Sequence, residues 1–261
     1  MSPYLAEFIG TALLVLFGNG VVANVVLART KGNNSGWIVI TAGWAFAVFI
    51  GAFCAAPFSG AHLNPAVTLA MALAGKLAPG QVAGYFVAQM LGGIIGGALV
   101  WLFYREHFKV SDNADGKLAC FCTAPNIRNL PQALFCEVLG TFVLVLPIFL
   151  MTSVTIPFPT SSGATDVPVG LGSIGLVPVA LLVFGIGLSL GGTTGYAINP
   201  ARDFGPRLFT FMAGWGGEVF TAANGWWWVP IVAPCVGTVA GAWVYDLCVG
   251  HRFPVTTADT V

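Results

Sequence analysis

With 57% hydrophobic and only 8% charged residues over 261 positions, this chain lies far from soluble domains, which carry about 25% charged residues. A mean hydropathy of +0.86 marks an integral membrane protein. Ten Lys and Arg balance ten Asp and Glu, so no basic surplus points to nucleic acid or to an anionic membrane surface.

A spanning helix needs about 20 mostly apolar residues. Residues 3–28 qualify with Glu7 as their only charge, and no basic residue precedes Arg29, so this segment reads as a retained first helix, not a cleaved signal. Nothing from Gly32 to Gly75 is an Asp, Glu, Lys or Arg. That stretch is too long for one span and too short for two. It divides into a span at 36–56, an irregular segment Gly60–Leu63, and a short helix at 65–75. At 1.5 Å per residue the short helix reaches roughly 16 Å, about half of a ~30 Å hydrocarbon core. A span at 79–104 follows, ending in Arg105-Glu106-His107.

Residues 105–130 are polar and read as a surface loop. The pattern then restarts: a span at 131–154 with an early Glu137, a Pro-, Ser- and Gly-rich loop at 155–173, and a span at 174–193. A half-helix at 200–212, a loop at 213–225, a last span at 226–249 and a polar tail at 250–261 complete the chain. Trp226-Trp227-Trp228 reads as an interfacial aromatic belt.

Two stretches match closely. Ser59-Gly60-Ala61-His62-Leu63-Asn64-Pro65-Ala66 in the first half corresponds to Thr194-Gly195-Tyr196-Ala197-Ile198-Asn199-Pro200-Ala201 in the second. Asn is a good N-cap and Pro suits the first helical position, so each Asn-Pro-Ala is a helix start. The openings match too: Ala6-Glu7-Phe8-Ile9-Gly10-Thr11 against Cys136-Glu137-Val138-Leu139-Gly140-Thr141. The repeats cover approximately 1–108 and 131–250, within one transmembrane channel domain over 1–261. Three spans per repeat force the second half in upside down, with function expected at the midplane. The fold expected is an all-α membrane protein of six transmembrane helices plus two half-helices in an inverted 3+3 repeat. The two half-helix starts then meet near the bilayer centre. Irregular backbone at that depth is tolerated only when buried in protein or lining a wet cavity, so the pattern predicts a pore.

Glycines at 92, 93, 96 and 97, at 187 and 191, and at 237 and 241 have the small-residue spacing of close helix contacts. Cys54, Cys136, Cys235 and Cys248 lie in or beside apolar segments and read as small buried hydrophobes. Cys120 and Cys122 form a C-x-C without His partners, read as structural filler in preference to a zinc or disulfide role. No metal or other cofactor is expected. No Ser/His/Asp, metal-ligand or phosphate-loop constellation supports an enzyme.

Paired Asn-Pro-Ala sites in an inverted repeat resemble the major intrinsic protein family, the aquaporins and glycerol facilitators, over essentially the whole chain. The resemblance implies a homotetramer with one pore per subunit. Asp203 after Arg202, in Asn199-Pro200-Ala201-Arg202-Asp203-Phe204-Gly205-Pro206-Arg207, is similar to the glycerol facilitators, as is Pro230-Ile231. It implies a selectivity filter at Trp44, Gly187, Tyr196 and Arg202. Water-only members carry His at the Gly187 position, and glycerol facilitators commonly Phe at that of Tyr196, so the Tyr196 hydroxyl is a departure that could narrow or polarise the filter. A polyol would lay its carbons on Trp44 and Tyr196 and its hydroxyls toward Arg202. Carbonyls of Gly60, Ala61, His62, Gly195, Tyr196 and Ala197 would line the path, with Asn64 and Asn199 donating at its centre.

Glu7 and Glu137, acids inside spans, are functional suspects by default. Their symmetric positions suit acceptors that hold the two irregular segments. His62 reads as a buttress bonded to such a carboxylate, and Asp203 as a partner of its helix dipole. The expected partners are glycerol, water and other small neutral solutes, and the lipid bilayer. The readings kept open are a water-selective channel and an ion-coupled transporter. The family places both termini in the cytoplasm of, here, a plasma membrane of bacterial type. Arg29, Lys31, Arg105, Lys109, Lys117 and Arg128 would then lie outside, with only Lys76 and Arg252 inside. The positive-inside rule points the other way; the family orientation is kept because the pore architecture spans the chain.

Overall fold

Prolines start most of the helices. Pro3, Pro65, Pro79, Pro131, Pro178 and Pro200 each sit in the first two positions of one, where the missing N–H is not needed and φ is already set. Side chains complete several of these starts: Ser2 Oγ accepts from Leu5 N at 3.3 Å and Asn129 Oδ1 from Gln132 N at 3.2 Å.

The helices are α1 (Pro3–Val26), α2 (Trp37–Ser59), α3 (Pro65–Leu73), α4 (Pro79–Phe103), α5 (Arg105–Val110), α6 (Ala114–Ala119), α7 (Leu130–Leu150), α8 (Val177–Ser189), α9 (Pro200–Thr210), α10 (Glu218–Gly225) and α11 (Val229–Val249). This is a computed structural model, and it describes residues 1–152, 154–160 and 163–249. The expected polar tail at 250–261, with Arg252, lies outside them. Among the described residues, six segments are long and apolar enough to cross a membrane: α1, α2, α4, α7, α8 with the 3-10 turn Gly172–Leu176 before it, and α11 with α10. The half-helices α3 and α9, of 9 and 11 residues, are about 14 and 16 Å long and cannot cross.

Packing follows the repeat. α4 lies on α1, and α11 lies on α7. Each half-helix crosses over: α9 packs on α4, and α3 packs on α11. The close approaches are matched glycine for carbonyl. A Cβ at Gly92 would stand 2.5 Å from the Phe8 carbonyl, and one at Gly237 would strike the corresponding Val138 carbonyl. Gly93 meets the Ala201 carbonyl in the same way, so α9 is seated directly on α4.

Four expectations are corrected. The polar stretch 105–130 is not a plain surface loop. After α5 and α6 it turns inward, and Cys120, Phe121, Cys122 and Thr123 are buried. Phe121 stacks on Phe108 at 5.3 Å between centroids, and its carbonyl accepts from Asn19 Nδ2 at 3.2 Å. Trp226 is not a belt residue: it is fully buried, and its Nε1 donates to Thr123 Oγ1 at 3.1 Å. The stretch 155–173 contains an antiparallel hairpin, β1 (Val154–Thr160) against β2 (Gly163–Val169), with Ile156 opposite Val167. Alternation at Val154, Ile156 and Phe158 is a strand signal that Pro157 and Pro159 obscured. The loop expected at 213–225 also holds helix, in α10, although Ala222–Asn224 leave helical angles.

Candidate functional site

The two irregular segments are strained backbone held by buried carboxylates. Ala61, Leu63, Tyr196 and Ile198 have φ of 52°, 51°, 38° and 42°, a left-handed region that costs L-residues about 1–2 kcal/mol each. Glu7 compensates in the first segment, accepting from His62 N at 2.8 Å, Leu63 N at 2.6 Å and Ser59 Oγ at 2.6 Å. Glu137 repeats the pattern with Ala197 N and Ile198 N, both at 2.9 Å, and Thr194 Oγ1 at 2.7 Å. Both carboxylates are completely buried. Their oxygens turn N–H groups toward the carboxylate, which leaves the carbonyls of these segments free for the other side.

The first segment has more support than the second. Gln89 Nε2 donates to Glu7 at 2.7 Å and to Thr68 Oγ1 at 2.8 Å. The His62 ring does not bond to the carboxylate as expected. Its backbone N–H does, while Nδ1 meets Thr68 Oγ1 at 3.2 Å and the ring lies 4.9 Å from that of Tyr85. Ser59, Thr194 and Gln89 were not singled out from the sequence, although Ser59 and Thr194 stand at matching positions of the repeated stretch.

The asparagines close the centre. Asn64 Oδ1 caps α3 by accepting from Ala66 N at 2.9 Å, and Asn199 Oδ1 caps α9 from Ala201 N at 3.0 Å and Arg202 N at 3.2 Å. Each then crosses to the other half: Asn64 Nδ2 donates to the Ile198 carbonyl and Asn199 Nδ2 to the Leu63 carbonyl, both at 2.8 Å. Pro65, Ala66, Pro200 and Ala201 are buried at this junction. An amide NH2 carries two protons, so each Asn keeps one to offer.

A cavity of about 150 Å³ runs beside this junction, roughly ten times the space one water requires. Gly60, Ala61 and His62 line it from one half, Tyr196 and Ala197 from the other, with Asn64 and Asn199 between them. Trp44 and Arg202 line it as well, and the Arg202 guanidinium carbon lies 4.0 Å from the Trp44 ring centroid. Among the described residues the Arg202 side chain has no protein hydrogen-bond acceptor. Leu14, Val48, Val67, Leu144 and Val183 supply apolar wall, which no motif had marked.

Gly187 and Gly195 stand outside this lining. A Cβ at Gly187 would lie 3.0 Å from the Tyr196 hydroxyl and 2.9 Å from Thr41 Cγ2. The Tyr196 hydroxyl is buried and, among the described residues, without a hydrogen-bond partner. It fills the niche left by the missing side chain at 187. Gly195 rests against Thr123.

Asp203 does more than face a helix dipole. Its Oδ2 accepts from Thr123 N and Thr123 Oγ1, both at 2.6 Å, and its Oδ1 pairs with Arg207 Nη2 at 3.0 Å. Arg207 also donates to the Val219 carbonyl at 2.7 Å and the Thr123 carbonyl at 3.0 Å. This buried knot ties the inward-turning segment to α9, one residue from Arg202. Burial pushes the neighbouring Cys122 thiol up to about 12 and raises Cys120 as well, which keeps both protonated and unreactive.

Six spanning helices around a cavity walled by carbonyls, two asparagine amides and an arginine define a transmembrane channel. The chain belongs to the major intrinsic protein family, whose model matches residues 1–245. It is 46% identical over 246 residues to a probable glycerol uptake facilitator protein of Thermotoga maritima, covering 94% of this chain and 99% of that one. It is 44% identical to a glycerol uptake facilitator protein of Streptococcus pneumoniae, covering 95% and 99%. The crystal structure of the aquaglyceroporin from Plasmodium falciparum superposes with a TM-score of 0.78 at 32% identity, over 94% of this chain and 95% of the other.

Proposed function

We propose that this chain is a passive channel for glycerol and other small uncharged solutes, together with water. The observation that carries this reading is the pairing of Trp44 with Arg202 at one level of the cavity. A polyol has a carbon edge and a hydroxyl edge. The aromatic face suits the first, and guanidinium donors without a protein acceptor suit the second. Carbonyls along Gly60–His62 and Tyr196–Ala197 then take solute protons in turn, and the remaining N–H of Asn64 and Asn199 donates at the centre. Hydration is replaced stepwise without a deep well, as conduction requires. The names of the bacterial relatives support glycerol as the solute. The activity assigned is conduction, not catalysis.

Trp44, Gly187, Tyr196 and Arg202 form the filter in this reading, with Gly187 acting indirectly by making room for Tyr196. The chain works as a homotetramer in a bacterial cell membrane with both termini in the cytoplasm. Uptake of labelled glycerol into proteoliposomes tests the passive mechanism. The initial rate is expected to rise linearly with concentration and to ignore an imposed proton gradient. Saturation together with dependence on that gradient would instead indicate a coupled transporter.

A further inference from the structure

Trp37, in the first turn of α2, has no role in the reading above, and its position is informative. An α-helix leaves its last four carbonyls without intrahelical partners. α8 ends at Ser189, so the Gly187 carbonyl is one of these. Trp37 Nε1 donates to it at 2.9 Å, across 150 residues of sequence. The same indole meets the Tyr196 ring edge-on, with centroids 6.0 Å apart and planes at 80°. Tyr196 needs such support. Its φ of 38° is strained, its hydroxyl has no partner among the described residues, and it is 95% buried. The ring is therefore held by packing, against Gly187 of α8 and Gly191 just beyond its end and against Trp37.

An interfacial tryptophan that only anchors the protein turns its N–H toward headgroups and water. Trp37 is 39% exposed, yet its N–H points inward to a helix-end carbonyl. We infer that Trp37 is a positioning residue for the filter: it ties the end of α8 to the start of α2 and fixes Tyr196 between them, and so sets the largest polyol the opening admits. This rests on the assignment of Tyr196 to the filter wall.

The test compares permeabilities in proteoliposomes loaded with equal amounts of protein, for water, glycerol and the five-carbon polyol ribitol. Trp37→Leu removes both the N–H and the aromatic edge, whereas Trp37→Phe keeps an edge and loses the N–H. We expect Trp37→Leu to raise the ribitol-to-glycerol ratio about fivefold with water flux within about twofold, and Trp37→Phe to fall between it and the parent. In a Tyr196→Ala background Trp37→Leu should add nothing, because it acts through that ring. An unchanged ratio in Trp37→Leu, or an equal fall in all three fluxes, would overturn the inference. So would an effect that persists undiminished beside Tyr196→Ala. A parent protein that passes no glycerol would defeat the channel assignment itself, a separate outcome from a glycerol-conducting parent with an insensitive Trp37→Leu.

Discussion

Single residues here act mainly by satisfying backbone. Glu137 accepts from Thr194 Oγ1, Ala197 N and Ile198 N, and each donor left unpaired in a buried site costs about 1–3 kcal/mol. Glu137→Ala should therefore lower the thermal midpoint of the detergent-solubilised protein by about 10 °C and abolish solute flux, and Glu137→Gln, which keeps one acceptor oxygen, should fall between. An unchanged midpoint would mean that the carboxylate does not hold the second segment. Tyr196 gives the opposite kind of prediction. Its hydroxyl is buried against Gly187, without a hydrogen-bond partner among the described residues, so Tyr196→Phe should leave glycerol permeability within about twofold.

Among the elements, α9 has a tightly constrained seat, because Gly93 of α4 lies directly on the Ala201 carbonyl. Gly93→Val should displace α9 and with it Arg202, lowering both folded yield and flux; normal yield with normal glycerol flux would contradict that packing. The segment after α6 is tied down by Thr123, Asp203, Arg207 and Trp226. Cys120 and Cys122 are consequently expected to resist maleimide in the native protein at pH 8 and to label fully in SDS, while fast native labelling would show that the segment does not stay folded inward. Spans, half-helices and the Asn-Pro-Ala caps were legible from the sequence because membrane length, charge spacing and Pro placement are strong local signals. Glu7 and Glu137 stood out as acids in apolar runs. The inward turn at 120–123 left no such mark, since its polar atoms are satisfied by residues 80 to 103 positions away. Trp226 likewise reads as interfacial until Thr123 is found beneath it.

For the whole molecule, inversion of the repeat is what converts two helix caps into one junction, with α3 and α9 pointing their N-termini at each other's loops. Each such end carries about +0.5 of a charge, and Arg202 adds a full one, the kind of electrostatic barrier by which aquaporin-type pores exclude cations. Arg202→Val should then raise proton leak across vesicles several-fold, read with an entrapped pH dye, and an unaltered leak would remove Arg202 from that barrier. Orientation is open to the same kind of check: a single Cys placed at Asp112, beyond α5, should react with impermeant maleimide from outside the cell. Reaction only from the cytoplasmic side would reverse the assigned topology. The most direct measurement is stopped-flow light scattering on proteoliposomes challenged first with an impermeant osmolyte and then with glycerol. A glycerol-conducting channel predicts rapid shrinkage in both, followed in glycerol by re-swelling at least ten times faster than in protein-free vesicles. Re-swelling no faster than in those empty vesicles would contradict it.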